Sequence, residues 1–241
     1  MMNVLKKFNI PKNCEVNQFV AKKHFYENAG LSKSDNDLFA DAKKITVLYQ
    51  LSSDKINIPQ YTDDIRNYSF INFLEVQLLK DVKIKRLAEI IMRSIPSPMV
   101  LIFKLENKIQ LYVAHQRTNQ ADSSKNTIEE LISTDWLDSD SPLFEKLDIR
   151  QMRFTNYFEL YSDIVDAISI YKANLIVQSE KELTGEQARQ LSASIETIEQ
   201  EIISFKAKLK KETQFNRRME LGIEIKRLEM KKNKIVEVVN E

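Results

Sequence analysis

The stretch 184–240 contains no proline and only two glycines, Gly185 and Gly222. Proline removes a helical N–H donor, and glycine costs about 1 kcal/mol against alanine inside a helix. A run with so few of either favours unbroken helix. Thr184-Gly185-Glu186-Gln187 fits a capping box: the threonine oxygen accepts from the N–H three residues on, and the glutamine reaches back. One long helix is expected over about 185–240, on the order of 80 Å at ~1.5 Å per residue. Ile195, Ile198, Ile202, Phe205 and Leu209 alternate spacings of three and four, which keeps an apolar seam on one face. Leu221, Ile225, Leu228 and Ile235 form a second seam out of phase with the first, while Met219 and Ile223 extend the first register. A register shift of this kind changes the supercoil or moves the seam to another surface. Gly222 lies inside the shift.

A lone amphipathic helix cannot bury its own seam. Before it, Phe158, Tyr161, Val165, Ile168 and Leu175 repeat the three/four spacing, which predicts a helix over about 154–178. The two helices are expected to form an antiparallel hairpin turned near 179–184, part of a coiled coil. The shorter arm covers about half of the longer one. The second seam then requires another cover: a second copy, a different protein, or the chain's own N-terminal domain. Charge adds a further constraint. Residues 206–234 hold eleven Lys/Arg against four Glu, and residues 138–201 hold thirteen Asp/Glu against six Lys/Arg. Two solvated helix faces account for this, as does a basic arm that meets phosphates or an acidic partner. Lys210, Lys211, Arg217, Arg218, Lys226 and Arg227 are the candidate nucleic-acid or partner contacts. Adjacent guanidiniums at Arg217 and Arg218, beside Phe215, suit phosphate.

The remaining constraints come from the whole chain. With 241 residues and 43% apolar content, it can hold one ordinary core plus an extended element. A net charge of +1 and a pI near 7.7 exclude a globally basic coat. The single cysteine, Cys14, excludes an intrachain disulfide and a cysteine-based zinc site, and fits a reducing cytoplasm. The opening residues do not read as a signal peptide, and no stretch is apolar enough to span a membrane. Three glycines in all leave no Gly-rich phosphate loop.

In chain order, 16–28 reads as a helix burying Phe19, Val20, Phe25 and Tyr26, stopped by Gly30. A short helix over 37–43 precedes a strand at 44–51, rich in β-branched and aromatic residues. A turn leads to a short strand at 56–58 and a polar loop at 60–66. The run 68–79 is the strongest strand and reads as central. A helix over 81–93 ends at Pro96-Ser97-Pro98. A hairpin follows at 99–105 and 109–116, then a mobile polar loop at 118–125, an edge strand at 127–133, and a short helix from Ser141-Pro142. Trp136 is expected to anchor the domain against the helical arm. The fold class is α+β: a mixed-sheet domain with flanking helices over 1–150, then a helical arm over 151–241.

Asp35-x-Asp37-x-Phe39, the run Ile95-Pro96-Ser97-Pro98, Ala114-His115-Gln116-Arg117, Asp135-Trp136 and the segment 209–221 with Gln214-Phe215-Asn216-Arg217-Arg218 together resemble the bacterial family of domain of unknown function 4391. The resemblance covers nearly the whole chain. Genes of that family often neighbour helicase and DNA methyltransferase genes of restriction-like systems. The resemblance therefore implies an accessory subunit of DNA-directed defence, and it implies no catalytic residue.

One constellation suggests chemistry. Many metal-dependent nucleases place an aspartate before a strand carrying Glu-x-Lys, whose carboxylates bind Mg²⁺ and activate water. Here Asp63 and Asp64 precede Glu75-Val76-Gln77, and Glu75 and Gln77 share a strand face by the period of two. Gln77 stands where lysine is usual. A solvent-facing or hydrogen-bonded glutamate is the plainer account. His24 and His115 lie far apart in sequence and suggest no metal site. The leading expectation is a non-catalytic subunit that docks a helicase or methyltransferase and assembles through its coiled coil, with no cofactor. The alternatives are a nuclease-like subunit using Mg²⁺, and a DNA-binding module using the basic arm.

Overall fold

The computed structural model describes residues 3–28, 31–81, 83–118, 126–178 and 182–240. The expected helix stop at Gly30, most of the polar loop at 118–125 and part of the turn at 179–184 lie outside them. The chain divides into two compact units, Met1–Ile168 and Ser169–Glu241.

Unit 1 opens with α1 (Asn3–Lys6), β1 (Glu15–Phe19), α2 (Lys23–Asn28) and α3 (Lys33–Ala40). Next come β2 (Ala42–Ser52), the short pair β3 (Tyr61–Thr62) and β4 (Asn67–Tyr68), β5 (Phe70–Leu78) and α4 (Ile84–Ser94). The hairpin of β6 (Met99–Leu105) and β7 (Lys108–Val113) follows, then β8 (Gln116–Thr118), β9 (Asn126–Ile128), β10 (Ile132–Ser133) and α5 (Leu143–Lys146). The helix α6 (Tyr157–Val177) crosses the dividing line. The main sheet has the order β1-β2-β5-β6-β7-β10. It is mixed: β5 runs antiparallel to β2 and parallel to β6, with α4 as the crossover. The remaining pairings, β1 with β2, β6 with β7 and β7 with β10, are antiparallel.

The central place of β5 follows from its sequence. Apolar residues lie on both faces, with Asn72, Glu75 and Gln77 interrupting them, as suits a strand largely covered on both sides. Leu74, Val76 and Leu78 face a cluster that includes Phe25, Phe39, Leu87, Ile91, Leu101 and Phe103. Phe73 faces the other way and meets Phe8 edge-on at 5.6 Å. The helix α3 is set by Ser32, whose side chain accepts from the Asp35 N–H while the Asp35 side chain accepts from the Ser32 N–H.

Three expectations for unit 1 are corrected. Residues 16–28 are not one helix: β1 pairs with β2 (Gln18 opposite Val47) through an irregularity at Asn17, whose φ is 50°, and only 23–28 are helical. Sheet pairing overrides a helical reading there, leaving Phe19 60% exposed while Phe25 is fully buried. Residues 56–58 form no strand, and the loop at 60–66 contains the β3–β4 hairpin. Trp136 packs against the sheet cluster of α4 and β6, within unit 1.

Unit 2 holds α7 (Gly185–Lys211) and α8 (Phe215–Asn240), after the end of α6. The capping box at Thr184 and Gln187 forms with both its bonds. The single long helix does not form: Glu212–Gln214 breaks it, and α8 returns along α7. This resolves the two seams. Ile198 and Ile202 of the first pack against Ile225 and Leu228 of the second, with Phe205, Leu209 and Ile235 beside them. Ile195 joins Ala173, Val177, Ala188 and Leu191, together with Ile235, Val236 and Val239. The cover expected from elsewhere is supplied by α7 itself. A register shift that costs one straight helix its continuous seam lets a folded-back pair bury both.

Candidate functional site

The aspartates sit in the turn between β3 and β4. Asp63 Oδ1 accepts from the N–H groups of Ile65 (2.9 Å) and Arg66 (2.6 Å), and Oδ2 accepts from the Tyr61 hydroxyl (2.9 Å). The Ile65 N–H, with help from Tyr61 and Arg66, holds the Asp63 carboxyl below the usual carboxylate range. Its oxygens close a turn. Asp64 is exposed beside it. Glu75 lies in the middle of β5, opposite Thr46 on one side and Ile102 on the other. As its spacing predicts, it shares a face with Gln77, whose Nε2 donates to Glu75 Oε1 at 2.6 Å. Roughly 17 Å of extended strand separates Glu75 from Phe70, where β5 begins. Among the described residues no three His, Cys, Asp or Glu side chains are grouped as a metal site requires. The structure brings Glu75 and Gln77 together and uses Asp63 elsewhere.

The basic candidates concentrate at the tip of the α7–α8 hairpin. Lys210 and Lys211 end α7, where cations also favour the helix dipole. The Glu212 carboxylate accepts from the N–H groups of Gln214 (2.9 Å) and Thr213 (2.8 Å), which lowers its pKa. Arg218 Nη1 donates to the carbonyls of Glu212 (3.1 Å) and Leu209 (3.4 Å). Arg218 therefore fastens the turn, whereas its neighbour Arg217 is exposed and free of ion pairs among the described residues. Lys210 and Lys211 share that state. Lys226 and Arg227 lie further along α8, and Arg227 approaches Glu224 at 3.8 Å.

The same helix carries a second apolar face. Leu221, Ile225, Leu228 and Ile235 turn toward α7, with Leu221 half-buried. Phe215 (74% exposed), Met219, Ile223 (62%) and Met230 lie along the opposite face. Their spacing places them on one stripe.

Several residues with definite roles had no local signal. The Tyr68 hydroxyl shares a hydrogen bond with His115 Nδ1 (2.9 Å) and accepts from the Gln116 N–H (3.2 Å). The Tyr161 hydroxyl donates to the Met99 carbonyl (2.7 Å) and accepts from the Ala114 N–H (3.1 Å). Burial pushes both phenols well above their ordinary pKa. His115 is ringed by Tyr68, Phe158 and Tyr161. Asp35 takes a two-pronged ion pair from Arg86 of α4 (2.8 and 3.0 Å), which drives its pKa far below the usual range. Arg86 stands over fifty residues downstream of Asp35, so only folding brings the two together.

A mixed sheet with a crossover helix, followed by a helical hairpin with a basic tip, defines an α+β protein. A model of the family described as "Domain of unknown function (DUF4391)" matches residues 8–231, and the chain belongs to that family. No curated protein and no solved structure matches it. The motifs that carried the resemblance have structural roles here: Asp35 caps α3 and pairs with α4, Phe39 stacks on Phe25 at 5.0 Å, and Gln214 ends the hairpin turn to which Arg218, in the first turn of α8, donates.

Proposed function

We propose that this protein is a non-catalytic interaction subunit of a bacterial DNA-directed defence system, docking a helicase or methyltransferase through its C-terminal hairpin. The observation that carries this reading is the outward stripe of α8. Phe215, Met219, Ile223 and Met230 stay exposed after α7 has covered the other face. An apolar stripe at helical spacing, with Lys226 on the same face between Ile223 and Met230 and Arg227 to one side, suits a partner groove that is apolar and carries an acidic group. The choice of partner rests on what the resemblance read from the sequence implies, a place beside a helicase or methyltransferase of a restriction-like system.

Tagged protein recovered from its own host should retain a helicase or methyltransferase after nuclease treatment. The double variant Met219→Glu, Ile223→Glu should lose it while keeping wild-type far-UV circular dichroism. Retention by the variant at the wild-type level, or recovery of this chain alone, would count against the proposal. The hairpin tip favours a second reading, contact with DNA, because Lys210, Lys211 and Arg217 make no ion pair among the described residues. Binding to a DNA duplex would then fall steeply with salt and weaken in Arg217→Ala. The alternative of a Mg²⁺-dependent nuclease gains nothing from the placement of Asp63.

A further inference from the structure

A cleft of about 270 Å³ opens in unit 1 where β5 begins, close to the proline-rich turn after α4. Among the described residues, no charged side chain lines it. Phe70, Pro96 and Pro98 supply flat apolar walls, and Asn67, Ser97 and Asn126 supply hydrogen-bonding groups. Their donor and acceptor state is set by the bonds behind them. Ser97, 4% exposed, accepts at Oγ from Asn72 Nδ2 (3.0 Å), and Asn72 Oδ1 accepts in turn from Gln50 Nε2 (3.2 Å). The Ser97 proton is left to donate. Gln116, 2% exposed, donates to the Met92 carbonyl and accepts at Oε1 from Asn126 Nδ2 (3.0 Å). Asn126 Oδ1 is left to accept. Asn67 Oδ1 accepts from the Ser69 hydroxyl (2.6 Å), which leaves Asn67 Nδ2 to donate. None of these three remaining groups has a partner among the described residues.

An uncharged cleft with flat walls and a fixed set of two donors and one acceptor selects a flat, neutral ligand with hydrogen-bonding edges. Its volume lies just under the usual range of about 300–1,000 Å³ for small-molecule pockets, so it suits one heterocycle and not a whole dinucleotide. Phosphate or carboxylate would find no cation among the described lining residues. Carboxamide side chains at the edge and apolar rings at the face are the groups that read an unstacked base. We propose that this cleft binds a nucleobase, stacked on Phe70 and the proline rings and read at its edge by Asn67, Ser97 and Asn126. The base can belong to a free nucleoside or to a single strand.

The full chain would be titrated by NMR with adenosine, guanosine, cytidine and thymidine to millimolar concentration, and with a mixed-sequence single-stranded oligonucleotide. The expected result is saturable binding of one nucleoside above the others, weakened about five-fold in Asn67→Ala, the value of one hydrogen bond. Asn67 is exposed, so this variant should fold. Phe70→Leu, which keeps an apolar side chain but removes the ring, should weaken binding further. If only the oligonucleotide binds, and Phe70→Leu weakens it, the base comes from a strand. Absence of binding by all five probes would overturn the proposal. So would binding that both variants leave unchanged, or equal competition by N-acetylglycinamide, a simple amide.

Discussion

In unit 1, Phe73, Leu101 and Phe103 have no exposed surface; in unit 2, Ile225 and Leu228 keep 7% and 8% exposure, and Ile223 on the same helix is 62% exposed. The difference lies in the geometry of the layers. A central strand has two faces, and in unit 1 both are covered. Stacked helices enclose only the seam between them, so each has an outer surface that needs either polar residues or a partner. Unit 1 also exposes apolar residues, Phe19, Leu79 and Phe154 among them, but they are scattered over separate segments. Unit 2 has apolar residues to spare on α8, which is why we place the interaction surface there.

Four perturbations test this contrast. Phe103→Ala should cost about 3–5 kcal/mol, the usual loss for a fully buried aromatic ring. Trp136, the only tryptophan, packs in the same cluster, so its fluorescence in a urea titration reports on unit 1. A loss below about 1 kcal/mol would mean that the sheet core is less enclosed than the burial indicates. Ile225→Ala should cost about 2–3 kcal/mol, near the lower end for buried isoleucine because its site borders solvent. It should shift the far-UV circular dichroism transition before the tryptophan signal.

Acid should weaken unit 1. Asp148 accepts from the Arg150 side chain and N–H and from Asn9, and its pKa is lowered from 3.8 to about 2. Asp35 is shifted in the same direction by Arg86. A carboxyl with a depressed folded pKa contributes stability that is fully present above its ordinary value. That stability is lost as pH falls from about 4 toward 2. The tryptophan-detected urea midpoint should drop across that window, and less so in Asp148→Asn. The smallest effect is expected at Gly222. Nothing lies within 4 Å of a Cβ built there, so Gly222→Ala should stabilise α8 by about 0.5–1 kcal/mol, read as a later thermal transition in circular dichroism. A destabilising outcome would show that the position is contacted in solution.

Much of the fold was legible because its signals are local. The run 68–79 carries its central position in its own composition, and β5 occupies 70–78 of it. Thr184 and Gln187 declared a helix start through two short-range hydrogen bonds. The period of three and four marked every buried position of α7 from Ile195 to Ile202. The candidate sites were less legible. Glu75 and Gln77 are paired as spacing requires, and Asp63 closes a turn with the N–H groups two and three residues on, a short-range role that the search for a metal site passed over. Asn67, Ser97 and Asn126 come together only through the sheet.

The sequence by itself determined most of the helical and extended stretches and which of their faces are apolar, since both depend on neighbours a few residues apart. Only the tertiary structure decided which surfaces meet. It turned 15–19 into an edge strand, because pairing with β2 outweighs weak helical propensity. It broke the expected long helix at Glu212–Gln214, a turn with neither proline nor glycine. There the Glu212 carboxylate and the Arg218 guanidinium satisfy backbone groups that the break exposes. The gain from laying Ile198 and Ile202 on Ile225 and Leu228 exists only after the chain reverses. Burial between distant segments is a property of the folded arrangement, and no local pattern contains it.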